Sequence, residues 1–278
     1  SAASDVYKRQ ILHEQGQTTA AITSLKKALS YQPNSAQAHS NLGNSLCNLG
    51  DLEAAVNALQ RAISIDPNYA EAHNNLGLAL QKTGNLSAAI SSFETALHLK
   101  KMFPEALSNL GLTLQEKGEI KNAISSFNAA LQLNPYLVEV KSNLAMAQLL
   151  NGDYQQGLEN YEFRFFTKTG LNALLNKPKF SQWDGRDLKS GQKLLLISEQ
   201  GLGDTIHFMR YVIILRQRGL DVNLCAQPKL HSLIRASGID SSPIPPEEIT
   251  DSEDAHWLPL LSILRHLRVT ADDPIISD

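Results

Sequence analysis

The chain has little cysteine, few aromatic residues and no long apolar run. Its two cysteines, Cys47 and Cys225, fall in different predicted domains of the 278 residues, so we expect no disulfide framework and a reducing compartment. The longest apolar runs are far shorter than the roughly 20 residues that a membrane helix needs. We therefore expect a cytoplasmic protein with no membrane span.

Clustered positive charge and metal-ligand spacings are also missing. The net charge is -3, and no group of Lys and Arg residues could neutralise a run of phosphates, which argues against nucleic-acid binding. No HExxH, CxxC or similar spacing occurs, so we expect no metal site.

What the chain does contain is a strict period. Glycine recurs at one fixed interval, at Gly16, Gly50, Gly84, Gly118 and Gly152. Alanine and leucine recur in step, at Ala28, Ala62, Ala96 and Ala130 and at Leu42, Leu76, Leu110 and Leu144. A repeat of about 34 residues is typical of two helices and their turns. Stacked copies bury a continuous core, which predicts an all-α solenoid of helix hairpins with a concave groove.

Two histidines also fit this period. His39 and His73 are one period apart, which could suggest a pair of metal ligands. The next equivalent residues are Leu107 and Lys141, so the position accepts any large side chain. We therefore favour packing over metal binding for both histidines.

Residues 36–69 illustrate one unit. The first helix is expected to stop at Gly50, where glycine permits the left-handed conformation, and Asp51 can cap the second helix, which must end before Pro67. Small residues at Gly43 and Ala55 let the two axes approach closely. The expected units are an incomplete first copy, residues 36–69, 70–103 and 104–137, and a degenerate last copy from residue 138.

This pattern resembles the tetratricopeptide repeat over residues 11–166, on the recurring NLG triplet and the Gly, Ala and Pro positions. Asparagine recurs on the first helix of each unit, at Asn41, Asn75, Asn109 and Asn143. A row of carboxamides can pair with the backbone of an extended peptide. The row resembles the asparagine ladder of O-linked N-acetylglucosamine transferases, which implies a protein or peptide in the groove. The alternative is that these asparagines are polar residues of a solvated helix face.

The first ten residues, SAASDVYKRQ, match no repeat position. They resemble the in-frame translation of a transposon-end adapter used in preparing sequencing libraries. We therefore expect residues 1–10 to be non-native and the first repeat to lack its first helix.

After residue 166 the period stops. Residues 167–192 have the composition of a linker, with one apolar anchor at Trp183. Residues 194–197, a helical stretch at 204–218 and residues 222–225 then predict a β-α-β unit with a parallel strand pair. A helix at 229–236 and strands near Ile244 and at 256–258 would extend it. The sequence predicts the opening of a doubly wound, Rossmann-like α/β domain over residues 193–278.

The turn with Gly201 and Gly203 is where a ligand is expected, outside the carboxyl end of a strand. A dinucleotide fingerprint is disfavoured, because Ile206 replaces the third glycine and the carboxylate of Asp204 would repel a pyrophosphate. Two interpretations remain for this turn. Asp204 or Thr205 caps the following helix, or Asp204 accepts a proton from a sugar hydroxyl.

Four ordered segments resemble the heptosyltransferase-like glycosyltransferases of family 9, which have two Rossmann domains. The segments are YEFRF (161–165), QWDG (182–185), SEQGLGDTIHFMRY (198–211) and DAHWLPLLSI (254–263). The chain departs from the family in having SIL in place of SLP at residues 262–264. The resemblance implies the N-terminal half of a GT-B fold, with Asp204 as general base on an acceptor hydroxyl and Gly201, Gly203 and Thr205 in the substrate-binding loop.

The same resemblance implies a nucleotide sugar as donor substrate and no other cofactor. These enzymes bind the donor mainly through a second Rossmann domain, and we expect a bacterial fragment that ends before it and is inactive alone. The expected function is protein binding by the repeats coupled to glycosyl transfer. Two alternatives stay open: a non-catalytic interaction scaffold, and protein glycosylation of the O-linked N-acetylglucosamine transferase type.

Overall fold

The computed structural model describes residues 2–167, 174, 177–186, 188, 192–199, 201–250 and 254–268, with side chains from residue 16 onward. The chain divides into two compact units, Ser1–Val140 and Lys141–Asp278. No helix in the described part of the chain is long and apolar enough to cross a membrane.

The first unit is helical. Its helices are α1 (Ala2–Tyr31), α2 (Ala36–Leu49), α3 (Leu52–Ile65), α4 (Ala70–Lys82), α5 (Leu86–Leu99), α6 (Pro104–Glu116) and α7 (Ile120–Leu133). Helices α2 to α7 pair as three hairpins, each one period after the last, which confirms the helical solenoid that the period predicts.

Helix α1 differs from the expected incomplete first copy, because it continues through Gly16 without a break. The equivalent Gly50 and Gly84 have positive φ angles of 91° and 80° and end their helices, whereas Gly16 stays helical. The next residue favours the break in two of the copies, although Gly118 also ends its helix region before Glu119, which accepts no capping bond. Asp51 and Asn85 each accept a hydrogen bond from a backbone N–H of the following helix, at 3.3 Å, but the first copy has a glutamine there, which is not a favoured N-cap residue.

In each hairpin a large side chain of the second helix lies on a glycine of the first. The pairs are Leu59 on Gly43, Phe93 on Gly77 and Phe127 on Gly111. A Cβ atom at either of the last two glycines would lie 2.6 Å from the Cε1 atom of the phenylalanine ring, closer than packed atoms approach. Both rings are fully buried. The absence of a side chain therefore allows the close approach of the two helices that the sequence predicts.

The first helices of successive hairpins contact one another, α2 with α4 and α4 with α6, and the second helices α3 and α5 pack on α4 and α6. Among the described residues, the second helices have no comparable contacts with each other. The first helices α2, α4 and α6 therefore line one side of this unit, which we call the inner face.

The second unit begins within α8 (Val138–Asn151), which is followed by α9 (Tyr154–Tyr161) and a 3-10 helix (Glu162–Phe166). Asn160 Nδ2 donates a hydrogen bond to Gln148 Oε1 at 2.8 Å, between α9 and α8. Gly157 stands where the earlier units have alanine, and it packs against Leu149. In the pair α8–α9 the glycine therefore lies on the second helix and the large residue on the first, which is the reverse of the earlier hairpins.

A three-stranded sheet follows. Its strands are β1 (Lys193–Ile197), β2 (Asp221–Cys225) and β3 (Ala255–Pro259), in the order β2-β1-β3 and all parallel. The helices are α10 (Leu202–Phe208), α11 (Tyr211–Gln217), α12 (His231–Ala236) and α13 (Ile263–Leu267). The predicted parallel β-α-β unit is present. The sheet is smaller than the doubly wound domain that the sequence predicts, so its Rossmann character stays a prediction.

The single helical stretch predicted at 204–218 is wrong in one respect, since two helices, α10 and α11, meet at Met209 and Arg210. Thr205 of α10 and Met209, which directly follows α10, are buried. Tyr211 and Ile214 of α11 are buried as well. A straight helix would not turn all four toward the core, because residues six apart lie on different faces.

Short segments extend both edges of the sheet. Ile244 forms a parallel bridge with Cys225 of β2, and Gln182 forms one with Trp257 of β3. Trp183, the predicted anchor, is buried, and its backbone N–H donates to the carbonyl of Trp257 at 2.8 Å. The predicted linker 167–192 lies partly outside the described residues, and so does the end of the chain after residue 268.

We predict that Gly111→Ala lowers the free energy of unfolding of the first unit by about 1–3 kcal/mol, because the new methyl group overpacks against Phe127. The matched control is Gly16→Ala in α1, where a Cβ meets nothing within 4 Å. That change should stabilise by about 0.5–1 kcal/mol through the lower chain entropy of alanine. Urea denaturation followed by circular dichroism compares the two, and equal effects would contradict the proposed packing.

Candidate functional site

The predicted ladder residues Asn41, Asn75 and Asn109 lie on α2, α4 and α6 and therefore share the inner face. Asn41 is exposed, and the other two are half-buried. Asn143, also half-buried, lies on α8 in the second unit. The structure thus brings three of the four predicted asparagines together on one surface of the first unit.

Two of these carboxamides bind the preceding hairpin. Asn75 Nδ2 donates to Ser40 Oγ at 3.2 Å, and Asn109 Nδ2 donates to Asn74 Oδ1 at 3.0 Å. Asn74 is buried, so the second bond satisfies a group that water cannot reach. A carboxamide has two N–H donors and an oxygen with two lone pairs. These bonds therefore fix the orientation of the side chains and still allow contact with a ligand.

A second repeating feature of the inner face is apolar. Leu78 and Leu112 follow Asn75 and Asn109 by three residues, so each lies beside its asparagine on the same side of the helix. Both leucines are half-buried. This pair was missed from the sequence, although its recurrence after one period was visible in the chain. The inner face therefore offers an amide and an apolar side chain together in two successive units.

The acidic residue Glu71, one turn before Asn75, is already paired. Its carboxylate lies 2.7 Å from Lys100 Nζ, and Lys100 also lies over the Phe103 ring at 4.4 Å. The hydrogen bond from Lys100 lowers the pKa of Glu71. Because both side chains are about half exposed, we assign this pair little weight in stability.

The two histidines at repeat spacing have a structural role. The Nε2 atoms of His39 and His73 lie 2.9 Å from the carbonyl oxygens of Pro33 and Pro67. Each histidine thus ties its helix to the preceding turn. Within the described ranges no cluster of three or more His, Cys, Asp and Glu residues is placed to hold a metal ion.

The second predicted site is the turn after β1, residues 198–205, which leaves the carboxyl end of the middle strand. Gly201 is the N-cap residue of α10, and no side chain caps this helix. Asp204 is already within the helix and exposed. The buried Thr205 donates its hydroxyl to the Gly201 carbonyl oxygen at 3.0 Å. One interpretation of the sequence is that Asp204 or Thr205 caps this helix. Neither residue occupies the N-cap position.

The carboxylate of Asp204 folds back over Gly201, and a Cβ atom at residue 201 would collide with its Oδ2 atom. The close neighbour of Gly201 is thus the end of an exposed side chain rather than backbone. Gly203 differs, since a Cβ there would meet nothing within 4 Å of the described atoms. Gln200 lies outside the described residues.

Gln227, which follows β2, holds this turn from one side. Its Oε1 atom accepts a hydrogen bond from Ser198 Oγ at 3.1 Å and lies 3.3 Å from Thr205 Oγ1. Its Nε2 atom donates to the carbonyl oxygen of Glu199 at 2.7 Å. A single amide thus joins both ends of the turn.

Arg164 holds the turn from another side. Its Nε and Nη2 atoms donate to the two carboxylate oxygens of Glu199 at 3.1 and 2.7 Å. Its Nη1 atom donates to Glu162 at 3.0 Å, and Nη2 also donates to Ser262 Oγ at 3.1 Å. The Ser262 hydroxyl in turn donates to Glu162 at 2.8 Å. The segments YEFRF, SEQGLGD and LPLLS therefore meet in one buried network, which we call the Arg164 network (Arg164, Glu199, Glu162 and Ser262).

The electrostatics of this network favour a charged arginine. Burial opposes the charge of Arg164, but the hydrogen bonds and negative charge of Glu199 outweigh it and raise the pKa of Arg164. The guanidinium lies between the rings of Tyr161 and Phe165, at 4.2 and 4.0 Å. Burial raises the pKa of Tyr161, and the carboxylates of Glu199 and Asp204 add to this effect. Asp204 thus lies within electrostatic reach of the network.

Cys225, at the end of β2, is not suited to nucleophilic chemistry. It is buried, and burial raises the pKa of its thiol to about 12. The thiolate is the reactive form. We therefore leave this cysteine out of the candidate site.

Comparison with known protein families confirms the predicted repeats in the first part of the chain. Residues 10–50 and 43–84 match a sequence model described as TPR repeat, and residues 74–138 match one described as tetratricopeptide repeat. Residues 10–138 thus match tetratricopeptide-repeat models. No curated protein matches the chain.

Several solved structures are similar to part of this chain. A double mutant of MamA RS-1 is 19% identical, with 62% of this chain and 98% of that chain covered and a TM-score of 0.50. PilF of Pseudomonas aeruginosa is 24% identical, with 58% and 75% covered and a TM-score of 0.50. A tetratricopeptide-repeat protein of Thermus thermophilus is 22% identical, with 61% and 92% covered and a TM-score of 0.49. At these identities the likeness concerns the fold alone.

We predict that Asn109→Ala lowers the free energy of unfolding by about 1–3 kcal/mol, because it leaves the buried oxygen of Asn74 without its donor. The matched change Asn41→Ala, at an exposed position of the same ladder, should alter it by less than about 0.5 kcal/mol. Urea denaturation measures both. If the two changes had the same effect, the hydrogen bond between hairpins would contribute nothing.

Proposed function

We propose that the first unit binds an extended segment of a protein partner along the inner face. The observation that carries the proposal is the pair of carboxamides, Asn75 and Asn109, each held in place by the preceding hairpin and each beside a half-buried leucine. Fixed amides can bind the backbone of a partner with little loss of side-chain entropy. The leucines would contact its apolar side chains.

The spacing of the repeats suits such a ligand. Packed helices lie about 8–10 Å apart, and an extended or polyproline-type chain advances about 3.1–3.4 Å per residue. In a polyproline-type chain, which has three residues per turn, equivalent backbone groups therefore return about every 9 Å, in step with the asparagines. A helical ligand advances only about 1.5 Å per residue and has no free backbone groups to offer.

The test begins with selection from a library of random peptides, followed by calorimetric titration of the enriched peptides. The double variant Asn75→Ala and Asn109→Ala should bind about tenfold more weakly or worse, since a loss of about 1.4 kcal/mol is tenfold in affinity. Leu78→Ala should also weaken binding.

The control is Ser91→Ala, at an exposed position of the second helix α5, which should leave the affinity unchanged. Thermal melting confirms that each variant is folded at the titration temperature. Affinity that is lost in the control and retained in the asparagine variant would place the partner on another surface.

We further propose that the second unit takes part in glycosyl transfer, with the turn at residues 198–205 as its acceptor site. Two observations support this. The turn leaves the carboxyl end of the middle parallel strand, the usual ligand position in such sheets. It is also fixed by Gln227 and Arg164, while Asp204 remains exposed. The resemblance to the heptosyltransferase-like enzymes supplies the reaction class, and a cytoplasmic location goes with a nucleotide-sugar donor.

In the proposed reaction Asp204 takes the proton of an acceptor hydroxyl. The freed oxygen forms a bond to the anomeric carbon of the nucleotide sugar, and the nucleotide leaves with the electrons of the bond that breaks. In the enzymes that the chain resembles, a second Rossmann domain binds the donor. A non-catalytic scaffold, and transfer of N-acetylglucosamine to the peptide held by the repeats, remain the alternatives.

We predict that Asp204→Asn lowers the rate of sugar transfer or donor hydrolysis by about 10²–10⁴-fold, the usual range for loss of a general base. The assay uses the full-length reading frame and a panel of nucleotide sugars. Asp221→Asn, an exposed carboxylate at the start of β2, is the matched control and should be unchanged. A folded protein that turns over no donor would favour the scaffold, and a rate untouched by Asp204→Asn would remove this residue from the mechanism.

A further inference from the structure

We infer that Arg164 is a positioning residue for the turn that carries Asp204. This inference rests on the proposed glycosyl transfer in one respect, namely that the turn is the reaction site. The placement of the turn by Arg164 is argued from contacts within the second unit, and it can be tested without turnover.

The first step concerns how completely Arg164 is engaged. Its three nitrogen atoms donate to both oxygens of Glu199, to Glu162, to Ser262 and to the carbonyl oxygen of Tyr161 at 3.0 Å. The side chain is 10% exposed, and that of Glu199 is 9% exposed. A two-pronged pair of this kind fixes orientation as well as charge, which a lysine cannot do because its ammonium group is a point charge.

The second step concerns Glu199, which is held at both ends. Arg164 binds its side chain, and Gln227 binds its backbone carbonyl oxygen. Glu199 lies two residues before Gly201, where α10 begins. The position at which the chain enters the turn is therefore set by the buried Arg164 and the half-buried Gln227, which come from different segments.

The third step connects Gly201 to Asp204. The Thr205 N–H and hydroxyl both donate to the Gly201 carbonyl oxygen, at 3.1 and 3.0 Å. The carboxylate of Asp204 lies where a Cβ atom of residue 201 would stand. A shift of the chain at Gly201 would therefore move the first turn of α10, which carries Asp204.

The presence of a buried ion pair does not by itself identify Arg164 as a stabilising residue, although removal of one partner alone would leave a buried charge unpaired. Replacing a buried ion pair by apolar residues of similar size is often neutral or stabilising, so such a pair is weak evidence for a contribution to folding. Arg164 belongs to the 3-10 helix that directly extends α9. The segment that continues the helical pair α8–α9 thus supplies the group that orients the turn.

The test is amide hydrogen exchange of the whole chain, resolved by residue, in Arg164→Lys and Glu199→Gln. The informative amides are Thr205 and Met209, whose N–H groups donate to the carbonyl oxygens of Gly201 and Thr205. We expect both variants to accelerate exchange at these amides by about tenfold. Exchange at Leu224 of β2, whose amide donates to Asp240, should change far less.

The matched control is Arg216→Lys. Arg216 also forms an ion pair, with Asp240 at 3.2 Å, and it donates to the carbonyl oxygens of Val222 and Ile239, but it does not contact the turn. This variant should accelerate exchange at Leu224 and leave Thr205 and Met209 nearly unchanged. If Arg164→Lys accelerated all three amides equally, Arg164 would be a general stabilising residue and the inference would be overturned.

A kinetic readout separates this inference from the proposed reaction. With a donor that is turned over, Arg164→Lys should lower kcat by about tenfold or more and leave KM within about threefold, because positioning acts on the reacting geometry. Local acceleration of exchange in a protein without turnover would support the positioning role and count against glycosyl transfer. An unchanged kcat in a variant with accelerated exchange would show that the turn is not the reaction site.

Discussion

The close contact between a glycine and a large side chain in each hairpin is the constraint on which the first unit depends. Leu59, Phe93 and Phe127 occupy the space that a side chain at the facing glycine would need. With the two helices of a hairpin drawn together, the next hairpin can pack on both of them. The first helices then follow one another along the inner face, and the hydrogen bonds from Asn75 and Asn109 to the preceding hairpin become possible. The proposed binding surface is thus a consequence of how the core packs.

In the last helical pair the same two positions are used differently. Ala145 stands in the place of the glycine and Tyr161 in the place of the phenylalanine. Tyr161 packs against the core of the sheet, and its ring lies against the guanidinium of Arg164. A position that serves hairpin packing in the first unit thus serves the α/β core and the Arg164 network in the second. This change explains how a repeat-like helix can end in a residue that holds the turn of a parallel sheet.

Much of the fold follows from local sequence signals. The period of the repeat, the glycine stops and the caps at Asp51 and Asn85 act within a few residues, and the hairpins could be predicted from them. The continuous helix α1 could not be predicted from them, because Gly16 recurs at the same interval as the glycines that end helices. The Arg164 network was hidden for another reason. Its partners Glu199 and Ser262 are 35 and 98 residues away, and each looks like an ordinary polar residue until the sheet brings the three segments together.

The most direct measurement is nuclear magnetic resonance of the isotopically labelled protein with a peptide selected for binding, observed at the side-chain amide groups of asparagine. A partner along the inner face should shift the signals of Asn41, Asn75 and Asn109 and give nuclear Overhauser contacts between these groups and the peptide backbone. If the shifts and contacts fell instead on the second helices α3, α5 and α7, with the three asparagines unaffected, the inner face would not be the binding surface.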